Sequence, residues 1–328
     1  MVFELQRTVV AGAAPASWGE VGQSMASTTM SSWRAAVDPD DLREYDRFGP
    51  WIDKVECLGD MPRRFRQWWP ELGGADFVLK VPRRYDRAEV RPGMDLYESV
   101  IAVDRDRLCV LRAEVGEVVR RDVARRDVVA SVRHTNLLYG RWSLLLADGG
   151  SVDMEINTVS QATVSEVDRF LMSSSDEGRW TAISAPAGEP QDHFFESTLA
   201  ALNADEPSRV RVLHLEEPGQ PCRTDRNGRR RSTGVMILHT PDDLLIFDRD
   251  RPTSSLFRRP NYAANVVRIP FRRMTSFELR RAEAATPSRF SRLVITCDRQ
   301  RITALVLTPP GAVVELLSAH GVPSGGLT

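Results

Sequence analysis

The densest run of side chains able to do chemistry is CRTDRNGRRRSTG, residues 222–234, which carries Arg223, Arg226, Arg229, Arg230 and Arg231. Guanidinium groups at this spacing can converge on a phosphate or a carboxylate through paired N–H donors. The surrounding composition weakens that signal. Lys54 and Lys80 are the only lysines among the 44 basic residues, a skew that points to a GC-rich bacterial genome in which arginine fills ordinary surface positions. A solvated loop therefore competes with an anion site.

Other reactive groups are scattered. His134, His193, His214, His239 and His320 stand singly, three of them on strand-like segments, where a structural histidine is the ordinary outcome. Cys57, Cys109, Cys222 and Cys297 form no C-x-x-C pair and read as buried free thiols in a reducing compartment. The carboxylate pairs Asp104/Asp106 and Asp248/Asp250 alternate with arginines at strand ends, as solvated turns do. There is no phosphate-binding loop, no G-x-G-x-x-G, no H-E-x-x-H and no G-x-S-x-G. No catalytic residue, metal or cofactor is expected.

The elements that must position these groups follow from periodicity. Residues 1–40 are rich in Ala, Ser, Thr and Gly, lack sustained periodicity and read as largely disordered; Met25 and Met30 join Met1 as candidate start sites. TVVAGAAPA is too short and too weakly apolar for a secretory core. Residues 41–92 form an aromatic-rich extension in which a helical piece, Phe65 to Leu72, stops at Gly73-Gly74 and FVLKVP is strand-like. Trp51, Trp68 and Trp69 are expected to anchor it on a neighbouring core.

From 93 to 173, DLYESVIAVDRDRLCVLRAE reads as two strands, and RRDVVASVRHT turns Val128, Ala130 and Val132 inward. RWSLLLADGGSVDMEI reads as a hairpin with Trp142, Leu144 and Leu146 facing Val152, Met154 and Ile156. A helix capped by Ser160 or Thr163 then buries Val164, Val167 and Leu171, with Phe170 beside them. Residues 174–206 are an acidic connector with a short helix at FFESTLAALN.

The order recurs over 207–321: strands VRVLHLE, VMILHT, LLIFD, NVVRIPF and RRMTSFELRR, the LVITC and ITALVL hairpin, and a helix opened by Pro310, burying Val313, Leu316 and Leu317, and stopped by Gly321. Residues 322–328 are a tail. The fold class is mainly β (α+β), with two small antiparallel barrel-like domains, each closed by a C-terminal helix, behind an N-terminal extension.

Several strands closed by one helix, twice over, resemble the tandem pleckstrin-homology-like domains of bacterial and GRAM-type proteins. RNGRRRSTGVMILHTPDDLLIFDRD is similar to that family's arginine-rich lead into the second strand, and LLYGRWSLLLADGG with its closing helix carries the likeness in the first copy. In lipid-binding members, basic residues of this loop meet a phosphorylated head group. The resemblance implies that role for Arg229 and Arg231, with Arg223 and Arg226 earlier in the loop. Glu216 and Glu217 stand where the family has a basic residue, and would repel a phosphate unless they point away.

Charge is unevenly spread. Residues 207–321 hold twenty basic and eleven acidic groups, 93–173 ten and thirteen, and the connector one and seven, in a chain whose net charge is −1. The basic second copy either meets an external anion or is docked by the acidic parts of its own chain, which a short tether keeps at high effective concentration. Basic stretches without interleaved aromatics argue against nucleic acid. The expectation is a cytoplasmic, non-catalytic interaction module with a protein partner. The alternative is peripheral binding to anionic lipid at the membrane through the arginine loop, and an enzyme of unrecognised type comes third.

Overall fold

A computed structural model describes residues 33–173, 188–205, 210–218, 221–222, 230–231, 234–249, 263–281, 291–306 and 310–327. The expectation of disorder over 1–40 lies outside them as far as residue 32 and is corrected beyond it, since Asp38 caps a helix that Pro39 and Asp40 open. The first sheet is an antiparallel meander in chain order, β1 (Asp53–Lys54), β2 (Phe77–Pro82), β3 (Tyr97–Val103), β4 (Arg107–Ala113) and β5 (Val118–Ala124). FVLKVP thus belongs to this sheet, as β2. The runs VLKV and VIAV are buried on both faces, Lys80 included.

One face of this sheet, with Val78, Val100, Ala102 and Leu111, packs on Phe48, Met61, Phe65 and Leu72 of the aromatic extension. Helix α1 (Pro39–Arg47) starts there because Asp38 accepts a hydrogen bond from the Asp40 amide at 2.8 Å and proline stands at its first position. A 3-10 turn, Arg63–Trp68, and α2 (Trp69–Leu72) follow, ending at Gly73. Trp68 and Trp69 cover this core as expected, whereas Trp51 is exposed and lies across Gly49.

The other face, with Leu79, Ile101, Val103, Leu108 and Val110, meets a second layer. That layer contains β6 (Val128–Asn136), β7 (Tyr139–Leu146), β8 (Ser151–Asn157) and helix α3 (Gln161–Met172). Trp142, Leu144, Leu146, Val152, Met154 and Ile156 all point into it, as their alternation predicts, against Val164, Val167 and Leu171 of α3. Ser160 occupies the cap position of α3 without bonding a helix amide. Its hydroxyl instead accepts the Ile52 amide at 2.7 Å, tying the extension to the helix.

The second half begins with helix α4 (His193–Asp205), then β9 (Arg211–Glu216), a short ribbon of β10 (Pro221–Cys222) and β11 (Arg230–Arg231), β12 (Val235–His239), β13 (Asp243–Arg249) and β14 (Ala264–Pro270). Three strands follow, β15 (Ser276–Arg281), β16 (Ser291–Cys297) and β17 (Gln300–Val306), then helix α5 (Gly311–Ala319) and β18 (Ser324–Leu327). In each half a three-residue 3-10 turn (Arg125–Asp127 or Phe271–Arg273) is followed by three strands and a helix, and it is preceded by the five strands β1 to β5 in the first half and the six strands β9 to β14 in the second. The tail is not irregular: β18 pairs in parallel with β15.

The halves share one sheet. Its order is β8-β7-β6-β14-β13-β12-β9, and β6 meets β14 in antiparallel register from Ala264↔Thr135 to Arg268↔Ser131. Because β6 spends its outer edge on β14, it does not continue the β5 edge although it follows β5 in sequence. Among the described residues no sheet closes on itself, so the architecture is mainly β and α+β with three large sheets rather than two closed barrels. Sharing also changes burial. Val128 enters the first-half core while Val129 and Ala130 enter the second, the switch falling at an irregularity between Val128 and Ala130, and Val132 is only partly buried.

The second-half core packs Val235, Ile237, Leu244, Ile246 and Ile269 against Phe277, Leu293, Ile295 and Cys297 and against Val313, Leu316 and Leu317 of α5. The opposite face of β9, β12 and β13 is covered by α4, whose Phe195 is fully buried among Met236, Leu238, Leu245 and Phe247. The acidic connector thus supplies a structural layer. Full burial of each such side chain contributes roughly 1.5–3 kcal/mol.

Candidate functional site

The arginine loop grows from the end of the shared sheet. β9 runs out at Glu216, the chain returns at β12, and between them Pro221 pairs with Arg231 and Cys222 with Arg230. Gly234 at the base has φ +87, and a Cβ there would sit 2.7 Å from Pro218 Cγ, so only glycine lets the ribbon leave the sheet this closely. Arg223, Arg226 and Arg229 lie outside the described residues, and of Arg230 and Arg231 only the backbone is described.

The two glutamates at the base are committed to the fold. Glu216 is buried and its Oε1 meets His214 Nε2 at 2.9 Å. The Glu217 carboxylate accepts the Gln191 and Asp192 amides at 2.6 and 3.0 Å. Asp192 in turn accepts from the Phe194 amide at 3.1 Å and pairs with Arg249 of β13 at 2.9 Å. An acid of the connector thus docks on a base of the second half.

A larger set of charges lies where the halves meet. On the face of β6 and β14 beneath α3, Arg268 reaches Asp243 at 2.8 Å and Asp168 of α3 at 3.5 Å, while Asp168 accepts the Trp142 indole N–H at 3.2 Å. Arg133 of β6 donates to the Ser165 hydroxyl and lies in the field of Asp168. Burial pushes the Asp243 carboxyl up to about 6, against the pull of Arg268. Burial likewise holds the Arg133 guanidinium below its ordinary value. Buried charges paired in this way are ordinarily structural, and breaking them by removing one partner is costly.

At the end of α3 the exposed carbonyls are met by arginines from both 3-10 turns. Arg272 donates to the Met172 and Ser173 carbonyls at 2.9 and 3.0 Å, and Arg125 donates to those of Phe170, Leu171 and Ser173. Two three-residue 3-10 turns, one from each half, thus grip one helix terminus, the end where cations are favoured.

Two concavities lie on the first half. One, of about 10 Å³, has room for a single water between Arg43, Glu44, Asp60, Lys80 and Tyr97. Lys80 is buried, its Nζ 3.4 Å from the Asp60 carbonyl and 5.4 Å from the centre of the Tyr97 ring. Burial raises both the Glu44 carboxyl and the Tyr97 hydroxyl, which keeps them protonated further up the pH scale. The second, a groove of about 610 Å³, runs between Arg64, Arg83, Tyr85 and Asp95 and the β4–β5 turn. Asp95 takes both arginines, and Arg64 also holds the Glu114 and Glu117 carbonyls. A lysine in an arginine-dominated chain was a visible signal for a buried site; nothing local marked the groove.

The remaining sequence candidates separate. His134 bonds Asn265 across the shared sheet at 2.8 Å, His320 stacks on Phe271 with ring centres 4.0 Å apart, and burial lowers His239 to about 4. Asp104 accepts the Asp106 and Arg107 amides, as a turn residue does. Cys109 and Cys297 are buried and pushed by that burial to about 11 and about 12, whereas Cys57 is exposed, contrary to expectation, because it follows β1 in a surface turn, where its thiol meets Asp60. Among the described residues no three His, Cys, Asp or Glu side chains are grouped to hold a metal ion, and no helix is long and apolar enough to cross a membrane. No protein-family model matches the chain, and no curated protein matches it.

Proposed function

We propose that this chain is a non-catalytic interaction module of two pleckstrin-homology-like halves whose partner is a protein. The observation that carries the reading is the order of 3-10 turn, three strands and helix that occurs once in each half, with both halves fused through β6 and β14 into one platform. Its polar groups favour the same view: the best-connected charges, Arg268, Asp168, Asp243 and Arg249, hold elements of the chain together. A rigid platform presents surface without paying to order it on binding. We place it in the cytoplasm. Affinity capture with the full chain, followed by cross-linking, is expected to return one protein contacting the same face in wild type and in the Arg229→Glu/Arg230→Glu/Arg231→Glu variant.

The second reading, anionic-lipid binding through the arginine loop, is favoured by the engagement of Glu216 and Glu217 in internal bonds at the loop's base. Liposome co-sedimentation with and without anionic lipid tests it. Pelleting that needs anionic lipid and disappears in the triple-glutamate variant would replace the protein reading.

A further inference from the structure

The turn between β6 and β7 is built against ordinary turn chemistry. Asn136 pairs with Tyr139, so Leu137 and Leu138 alone make the connection. A two-residue hairpin loop favours Asn or Gly where φ is positive. Here Leu137 holds φ +53, a conformation that costs a side chain with a Cβ and that asparagine or glycine would hold more cheaply. An apolar residue is thus kept at the apex at a cost to the fold.

The neighbours share the property. Leu137 is 62 % exposed, Leu138 59 %, Tyr139 59 % and Val159 68 %. Val159 is brought to the same tip because the Thr158 amide donates to the Leu138 carbonyl at 3.1 Å. That bond also satisfies a backbone acceptor at the apex, which lowers the cost of taking the tip out of water. One level down, the Arg84 guanidinium lies over the Tyr139 ring at 5.3 Å and bonds Glu155 at 2.5 Å. Arg141, exposed on β7, stands opposite Glu155.

From tip to base the order is two leucines, then an amphipathic ring with a valine, then two arginines and one glutamate. We propose that this hairpin tip docks on a lipid bilayer, leucines entering the acyl boundary, Tyr139 at the interface and the arginine stems reaching the phosphates. The gradient matches a bilayer's own sequence of layers, and the small net charge of the rim makes insertion, not anionic charge, the main attraction. The surface differs from the arginine loop and is independent of the protein-partner reading.

The test is co-sedimentation of the full chain with phosphatidylcholine vesicles and with phosphatidylcholine–phosphatidylserine vesicles. The parent is expected to pellet with both. The Leu137→Asn/Leu138→Asn variant is expected to lose at least about tenfold in partitioning, with a melting temperature unchanged or raised. Val159→Asn, which leaves the turn untouched, is expected to lose about threefold. The Arg229→Glu/Arg230→Glu/Arg231→Glu variant is expected to pellet with phosphatidylcholine as the parent does. A parent that stays in the supernatant, or asparagine variants that pellet as the parent does, overturns the proposal. So does loss of pelleting on phosphatidylcholine in the arginine variant, or a tip that only mediates self-association by light scattering.

Discussion

Helices α3 and α5 each follow a run of three strands, yet they are anchored by different physics. α5 buries Val313, Leu316 and Leu317 in its own half's apolar core. α3 buries an equivalent apolar face and adds Asp168, which crosses to Arg268 of the other half, while its terminal carbonyls accept from Arg272. One helix therefore seals a unit and the other also joins two. Apolar burial stabilises without specifying a partner, whereas a buried, bonded charge tolerates few alternative arrangements.

The sharpest way to break this contrast is Asp168→Ala. It leaves Arg268 and Arg133 with one fewer carboxylate in a buried seam and removes the acceptor of Trp142, for an expected loss of about 3–5 kcal/mol by denaturant unfolding. Leu316→Ala is the apolar counterpart, expected to cost about 2–4 kcal/mol through a cavity confined to the second half. A cost for Asp168→Ala well below that of Leu316→Ala would mean that the seam holds nothing.

Acid titration sharpens the comparison further. His239 sits near 4 in the folded chain against 6.5 free, because burial disfavours the imidazolium. Between those values the unfolded chain binds a proton that the folded chain does not, so this group lowers stability as pH falls from about 6.5 to 4. Asp243 is displaced the other way, to about 6 from 3.8, again by burial, so it adds stability as pH falls through the overlapping window. Relative to wild type, His239→Gln should gain and Asp243→Asn should lose about 2–3 kcal/mol between pH 6.5 and 4. Parallel curves for all three proteins would refute the assignment.

Glu217→Ala tests the connector, where two amides at the start of α4 lose their acceptor. A loss of about 1 kcal/mol in thermal unfolding is expected, since Asp192 still caps the first turn of α4.

What was legible in the sequence was local. The alternation in RWSLLLADGGSVDMEI, the faces of α3 and α5 and the Leu293–Ile295–Cys297 strand follow from periods of 2 and 3.6 that each segment carries by itself. The pairing of β6 with β14 joins residues more than a hundred positions apart, and its mark on the sequence, burial of both faces of Val128–Ser131, looks like any apolar run. The same distance hid the charge seam, since Arg133, Asp168, Asp243 and Arg268 stand far apart in the sequence. The arginine loop announced itself by composition, but Glu216 and Glu217 could be read as repelling a ligand only until His214 and the start of α4 were seen to hold them. At Leu137-Leu138 the informative feature was a wrong residue type for a tight turn, visible only once the turn length was fixed.

The shared sheet and its seam make the two halves one body. Differential scanning calorimetry of the full chain tests it most directly. A single transition is expected, whose calorimetric and van't Hoff enthalpies agree and which Asp168→Ala shifts downward as a whole. Two separate transitions, with Asp168→Ala moving only the one assigned to the first half, would contradict it.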